Sequence, residues 1–165
     1  IVPQTPQIFD GTIAENISLR DKTITQEQIE KAAKKVGIHD MIMTLPNGYG
    51  TLIGEGEAGL SSGEVQLLSI VRAIVADPKV LLLDEPTSGM DAQTEQRIFN
   101  AIRATSDGRT ILSISHRLSG IIDVDTVHIL AHNGIAESGS PEKLRNQNGW
   151  YAMYTKIENA GWDIG

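Results

Sequence analysis

The chain has 165 residues, 40% of them apolar and 21% charged, which is enough for one domain with a hydrophobic core. Its formal net charge of -7 argues against a nucleic-acid binder, which meets phosphate with a basic face, and its lack of Cys excludes a disulfide framework and a thiolate zinc site. No apolar run approaches the roughly 20 residues of a membrane-spanning helix and no signal peptide is visible, so any span is expected in another segment or chain.

The chain opens at Ile1-Val2-Pro3, which reads as the tail of a strand in a piece of something longer. Residues 11–18 (GTIAENIS) read as a turn into a short helix. Residues 25–36 read as an amphipathic helix with Thr25 as N-cap, Gln28 at the capping-box position and Gly37 as terminator. The density of Gly and Pro from Leu45 to Gly63 rules out a long regular element and predicts a long, functional loop. Residues 64–76 (EVQLLSIVRAIVA) are apolar nearly all round, as in a buried helix ended by Asp77-Pro78.

Val80 to Leu83 is a short continuous apolar run, predicting a central parallel strand buried on both faces. A helix is expected from Asp91 to Ala104 with Ile98, Ala101 and Ile102 on one side, then strands at 110–115 and 125–130. Residues 134–139 are expected to pair beside the latter, and helices over 141–146 and 149–158 close the chain. The alternation of strands and helices predicts an α/β fold with a parallel sheet.

Ligands of such sheets collect at the carboxyl ends of the strands. Two strand ends carry chemistry: Asp84-Glu85 after VLLL, and His116 after ILSIS. One acid can hold a metal, the second can take a proton from water, and an imidazole can meet a phosphate. Alone, an acid pair at a strand end also fits a solvated helix start, and a lone His says less still. The constellation decides between these readings.

LSSGE (Leu60 to Glu64) resembles the signature motif LSGGQ of the ATP-binding cassette (ABC) ATPase domain of transporters, and VLLLDE (Val80 to Glu85) resembles its Walker B strand. SGMD (Ser88 to Asp91) is similar to the D-loop, His116 in SISHRL to the switch histidine, and Pro3-Gln4 with IFDGTIAENI to the glutamine loop and its sequel. Five motifs in the family's order are a specific match. The resemblance implies a P-loop NTPase (RecA-like) fold with a helical ABC subdomain, here the C-terminal part of the domain. The helical part would span about 10–77 and the RecA-like part 78–165.

The resemblance also implies roles. Asp84 would hold Mg²⁺ through water, Glu85 would be the general base, His116 would contact the γ-phosphate, and Gln4 would sense metal and water. Ser61 and Gly63, with Ser62 and Glu64 in the same motif, would face ATP held by an opposing nucleotide-binding domain, and Asp91 would reach across that head-to-tail dimer interface. TIAENI with LPNGYGTLIGEGE looks like the exporter subgroup, whose segment before the signature touches the coupling helices of a transmembrane domain at the cytoplasmic face of a membrane. Thr51, Gly54 and Glu55 match that pattern, whereas Gly56-Glu57 departs from Arg-Gly.

Ser62 and Glu64 depart from the signature's usual Gly and Gln. A Ser keeps the backbone donor where φ is negative, while Glu64 places a negative charge near a polyphosphate and should weaken that contact unless it points away. The chain contains no Gly-Lys pair, the end of the family's phosphate cradle. The expectation is that this piece alone neither binds ATP tightly nor hydrolyses it.

Two other kinds of protein share part of this pattern. A chromosome-maintenance ATPase head also carries signature, Walker B and D-loop together, but its glutamine loop lies in its other lobe before a long coiled coil; here Gln4 precedes LSSGE with no heptads between. A non-catalytic half-site module would lend its LSSGE face to a partner's ATP.

Overall fold

The computed structural model describes residues 1–54, 59–118, 124–131 and 134–160, which fall into two compact units, Ile1–Ile114 and Ser115–Gly165. The first unit runs β1 (Gly11–Thr12), α1 (Ile13–Ser18), α2 (Gln26–Val36), α3 (His39–Thr44), a 3-10 turn (Gly48–Gly50), β2 (Leu52–Ile53), α4 (Ser62–Ile74), β3 (Val80–Asp84), α5 (Ala92–Thr105) and β4 (Thr110–Ile114). The second holds β5 (Val127–Ala131), β6 (Gly134–Gly139), α6 (Pro141–Arg145) and α7 (Trp150–Asn159).

Three helices of the first unit start by one device. Thr12 with Glu15, Thr25 with Gln28, and Ser61 with Glu64 each form a capping box, in which the hydroxyl accepts from the third helical N–H and that residue's side chain accepts from the N-cap N–H. Two donors that the helix leaves unpaired are thereby satisfied. Gly37 ends α2 at φ 85, its N–H donating to the carbonyls of Ala33 and Lys34, as its position predicted. Helix α3 escaped the sequence reading because it has only six residues and its N-cap, Ile38, makes no side-chain cap. The segment after it contains no long element, as expected: it has the 3-10 turn and β2, which pairs antiparallel with β1.

Helix α4 is buried along most of its length, as its all-round apolar sequence requires. Its Leu67, Leu68, Ile70 and Val71 share one core with residues of α1, α2, β3 and α5, including Ile17, Ala33, Leu81 and Ile98. Each such Leu, Ile or Val contributes about 1.5–3 kcal/mol by leaving water. Strand β3 pairs in parallel with β4, from Val80 opposite Thr110 to Asp84 opposite Ile114. On its other side Val2 continues the sheet, donating N–H to Leu82 O at 2.8 Å and accepting from Asp84 N–H at 3.0 Å.

One expectation about β3 is corrected. Leu81 and Leu83 are buried, but Val80 and Leu82 are 56% and 42% exposed, and Leu112 and Ile114 of β4 are 55% and 57% exposed. Among the described residues the core helices cover only one face of this sheet, so the apolar run alternates in and out.

In the second unit β5 pairs antiparallel with β6, Val127 opposite Gly139, with a register irregularity at Ile129 and Leu130. A small core of Val127, Leu144 and Tyr151 joins this hairpin to α6 and α7. Gly149 cannot cap α7 with a side chain; the Glu137 carboxylate on β6 instead accepts from the N–H groups of Trp150 and Tyr151.

Tyr49, in the 3-10 turn, lies in the core of the first unit with its hydroxyl 2.9 Å from His39 Nδ1. Burial, with the Glu30 charge second, pushes its pKa from 10.0 up to about 12. A group whose folded pKa is raised contributes stability that is complete below the unfolded value and lost as pH rises through the folded one. Thermal melts are therefore expected to fall between pH 10 and about 12, and Tyr49→Phe is expected to flatten that alkaline decline.

Candidate functional site

The carboxylates Asp84 and Glu85 follow each other where β3 ends. Asp84 is the last strand residue, exposed, with its N–H on Val2 O. Glu85 leaves the strand at φ 43, in the left-handed region, which for a residue with a Cβ costs on the order of 1–2 kcal/mol. Neighbouring backbone holds it there: Glu85 N–H donates to Ile114 O at 3.0 Å, and Glu85 O accepts from Ser88 N–H at 3.2 Å. Strain kept in place this way is characteristic of sites where a side chain must be aimed.

Gln4 reaches this carboxylate from the other end of the unit's sequence. Its Nε2 donates to Glu85 Oε2 at 3.1 Å and lies 3.3 Å from Ser88 Oγ. The pairing of Val2 with β3 makes the approach possible, because it sets the first residues alongside the strand that ends in the acids. Among the described residues no three His, Cys, Asp or Glu side chains gather to hold a metal. The donor set of Asp84 and the Gln4 amide suits Mg²⁺, which is typically held by one or two carboxylates and completed by water and phosphate oxygens.

The LSSGE segment forms the start of α4. Ser61 is its N-cap, and Glu64 turns back onto it: Oε2 accepts from Ser61 N–H and from Ser61 Oγ–H, both at 2.8 Å. Ser62 is the first helical residue and has no positive φ, so replacing the usual glycine requires no left-handed backbone. Gly63 is buried, and a Cβ on it would collide with Cγ2 of Thr94. Thr94 in turn donates its hydroxyl to Asp91 Oδ2 at 2.6 Å, and Asp91 Oδ1 accepts from the N–H groups of Gln93 and Thr94 at 3.0 Å. The Thr94 hydroxyl bond first, then the backbone bonds, holds the Asp91 carboxyl below the ordinary carboxylate range.

The structure thus forms two clusters from the sequence-predicted residues. Gln4 and Glu85 are joined directly, with Asp84 next in chain; Ser61 and Glu64 bond to each other, and Gly63 of the same motif packs against Thr94, which bonds to Asp91. His116 belongs to the second unit, is exposed, and sits in a tight turn where Ser115 Oγ accepts from Arg117 N–H at 3.1 Å. Thr51 caps the turn at 47–51 by accepting from Asn47 N–H at 3.3 Å, whereas Glu55, Gly56 and Glu57 lie outside the described residues. Sequence reasoning had Ser88 only as the first residue of the SGMD motif, with no role beside Gln4, and missed Thr94, for which the Asp91-to-Thr94 spacing carried a cap signal.

Comparison with known proteins gives one consistent result. The family model described as ABC transporter matches residues 1–88. The chain is 41% identical over 165 residues to a sophorolipid transporter of Starmerella bombicola, covering 98% of this chain and 13% of that protein. It is 38% identical over 163 residues to the multidrug resistance-like ATP-binding protein MdlA of Escherichia coli, covering 97% of this chain and 28% of that protein. The solved structure of a bacterial Atm1-family ABC exporter with ATP bound superposes with a TM-score of 0.83 at 38% identity, covering 99% of this chain and 28% of that one. The chain therefore spans only about a tenth to under a third of these proteins' lengths.

The contact between Gly63 and Thr94 is testable in thermal unfolding. Gly63→Ala is expected to destabilise the first unit by about 1–3 kcal/mol through overpacking. Thr94→Ser removes Cγ2 and keeps the hydroxyl on Asp91, so the double variant is expected to recover most of the loss.

Proposed function

The chain belongs to the ABC transporter family, and from that premise we propose that it contributes the hydrolytic acids and the signature motif to the ATPase of an ABC exporter. The observation that carries the reading is the bond from the Gln4 amide to the Glu85 carboxylate at the end of β3. The bond orients the carboxylate that follows the strand end, and Asp84 stands one residue before it, which supports the reading of an acid pair that acts together. Glu85 then serves as the general base that takes a proton from the attacking water, and Gln4 fixes the direction from which it does so. Asp84, with Gln4, would hold Mg²⁺, which when bound neutralises charge on the phosphate oxygens. His116 is assigned to the γ-phosphate on the family resemblance.

Ser61, Ser62 and Gly63 would face ATP carried by a second nucleotide-binding domain, with Asp91 at the same head-to-tail interface. The start of a buried helix suits this role, since its N–H groups and dipole favour an anion. Glu64 reads as a competitor for that position, because its carboxylate already takes the Ser61 hydroxyl and N–H and adds a like charge. Residues 10–77 would form the helical part of the domain and 78–165 the RecA-like part. The remaining partner would be a transmembrane domain whose coupling helices meet the segment before the signature, placing the chain at the cytoplasmic face of a membrane. The 165 residues contain no Gly-Lys phosphate cradle, so the activity is proposed for the whole protein and not for this chain by itself.

In the full-length protein, Glu85→Gln is expected to retain ATP and lower turnover at least about 100-fold, the scale of general-base catalysis; unchanged hydrolysis in a steady-state assay would remove Glu85 from the role of base. Glu64→Gln is expected to tighten ATP-dependent pairing of the two domains severalfold, read as a lower ATP concentration for half-maximal association.

A further inference from the structure

We propose that Gln66 is a positioning residue for the Gln4–Glu85 pair, acting by holding the peptide that joins Pro3 to Gln4; the proposal rests on the reading of Glu85 as base. Gln66 lies on α4 and is fully buried, and its Nε2 donates to Pro3 O at 3.3 Å. That carbonyl and the N–H of Gln4 belong to one rigid peptide plane, so a grip on the oxygen sets the plane from which the Gln4 side chain departs.

Pro3 has no N–H of its own, which leaves its carbonyl as the backbone group available for a tether. On one side of this plane Val2 is laddered to β3 at 2.8 and 3.0 Å; on the other, the Gln4 amide meets Glu85 and Ser88. Further along α4, Arg72 holds the continuation of the segment, donating to Gln7 O at 3.0 Å and Asn16 O at 2.7 Å. The helix that begins with LSSGE thus grips the glutamine segment on the residue before Gln4 and again three residues after it.

Stability does not account for an amide here. Among the described residues Gln66 Oε1 is buried without a partner, and a buried acceptor left unpaired is destabilising where an apolar side chain of similar size would not be. The Pro3 side of the bond is only half-buried, so water can serve its carbonyl if the donor is removed.

The test uses the full-length protein and compares Gln66→Leu with Gln66→Glu. Gln66→Leu is expected to lower kcat about tenfold through misplacement of Gln4, with KM for ATP within about twofold and no fall in melting temperature. In Gln66→Glu the buried carboxyl can donate to Pro3 O only when protonated, and burial raises its pKa. Its kcat relative to the unsubstituted protein should therefore rise as pH is lowered from about 8 to about 6, while the Gln66→Leu ratio stays flat. Gln66→Leu with unaltered kcat, or loss of activity in both variants with lowered melting temperature and no recovery at low pH, overturns the proposal. Glu85→Gln run alongside separates the causes: if it keeps hydrolysis the reading of the base fails and takes the proposal with it, and if it abolishes hydrolysis while Gln66→Leu is fully active, only Gln66 is misassigned.

Discussion

The burial of α4 is the constraint on which the rest of the first unit depends. Its apolar residues share a core with α1, α2, β3 and α5, so its position determines where the sheet and the other helices can sit. Its start carries LSSGE, and its interior carries the buried donor Gln66 and the half-buried donor Arg72, which reach the glutamine segment at Pro3 and Gln7. One well-packed helix therefore ties two pieces of candidate chemistry together, the LSSGE motif at its start and the amide that touches the strand-end acid. Neither piece could shift far without the core repacking, because densely packed interiors resist gradual deformation.

The site residues differ in how they are held. Glu85 is aimed by strained backbone held between one bond to β4 and one turn bond, and by an amide from 81 residues away. Asp91 and Ser61 are occupied locally as helix caps, and the contact of Gly63 with Thr94 joins the two caps. A residue that caps a helix and faces a ligand serves both ends with one set of lone pairs. Glu64 illustrates the conflict: its charge favours the helix start for the same electrostatic reason that it disfavours a phosphate there.

Much of the fold was legible along the chain. Thr25 with Gln28, the Gly37 stop, the all-round apolar run of α4 and the strand over 110–114 each follow from local chemistry that the structure reproduces. Helix α3 was not legible, because six residues without a side-chain cap leave no periodic or capping signal. The run VLLL reads along the chain as buried on both faces, whereas its exposure alternates. Composition says that a strand is apolar; which of its faces is covered depends on what packs there.

The sequence by itself determined the element types, the family resemblance and the identities of the acids, since capping, periodicity and motif spacing all act within short stretches. It could not determine that Gln4 meets Glu85, that Gln66 holds Pro3, or that Gly63 is required by Thr94. Those contacts join residues far apart in the chain, or helices that touch only once the core has formed. Only the tertiary structure decided them, because a hydrogen bond between side chains depends on distances of a few tenths of an ångström that packing alone imposes.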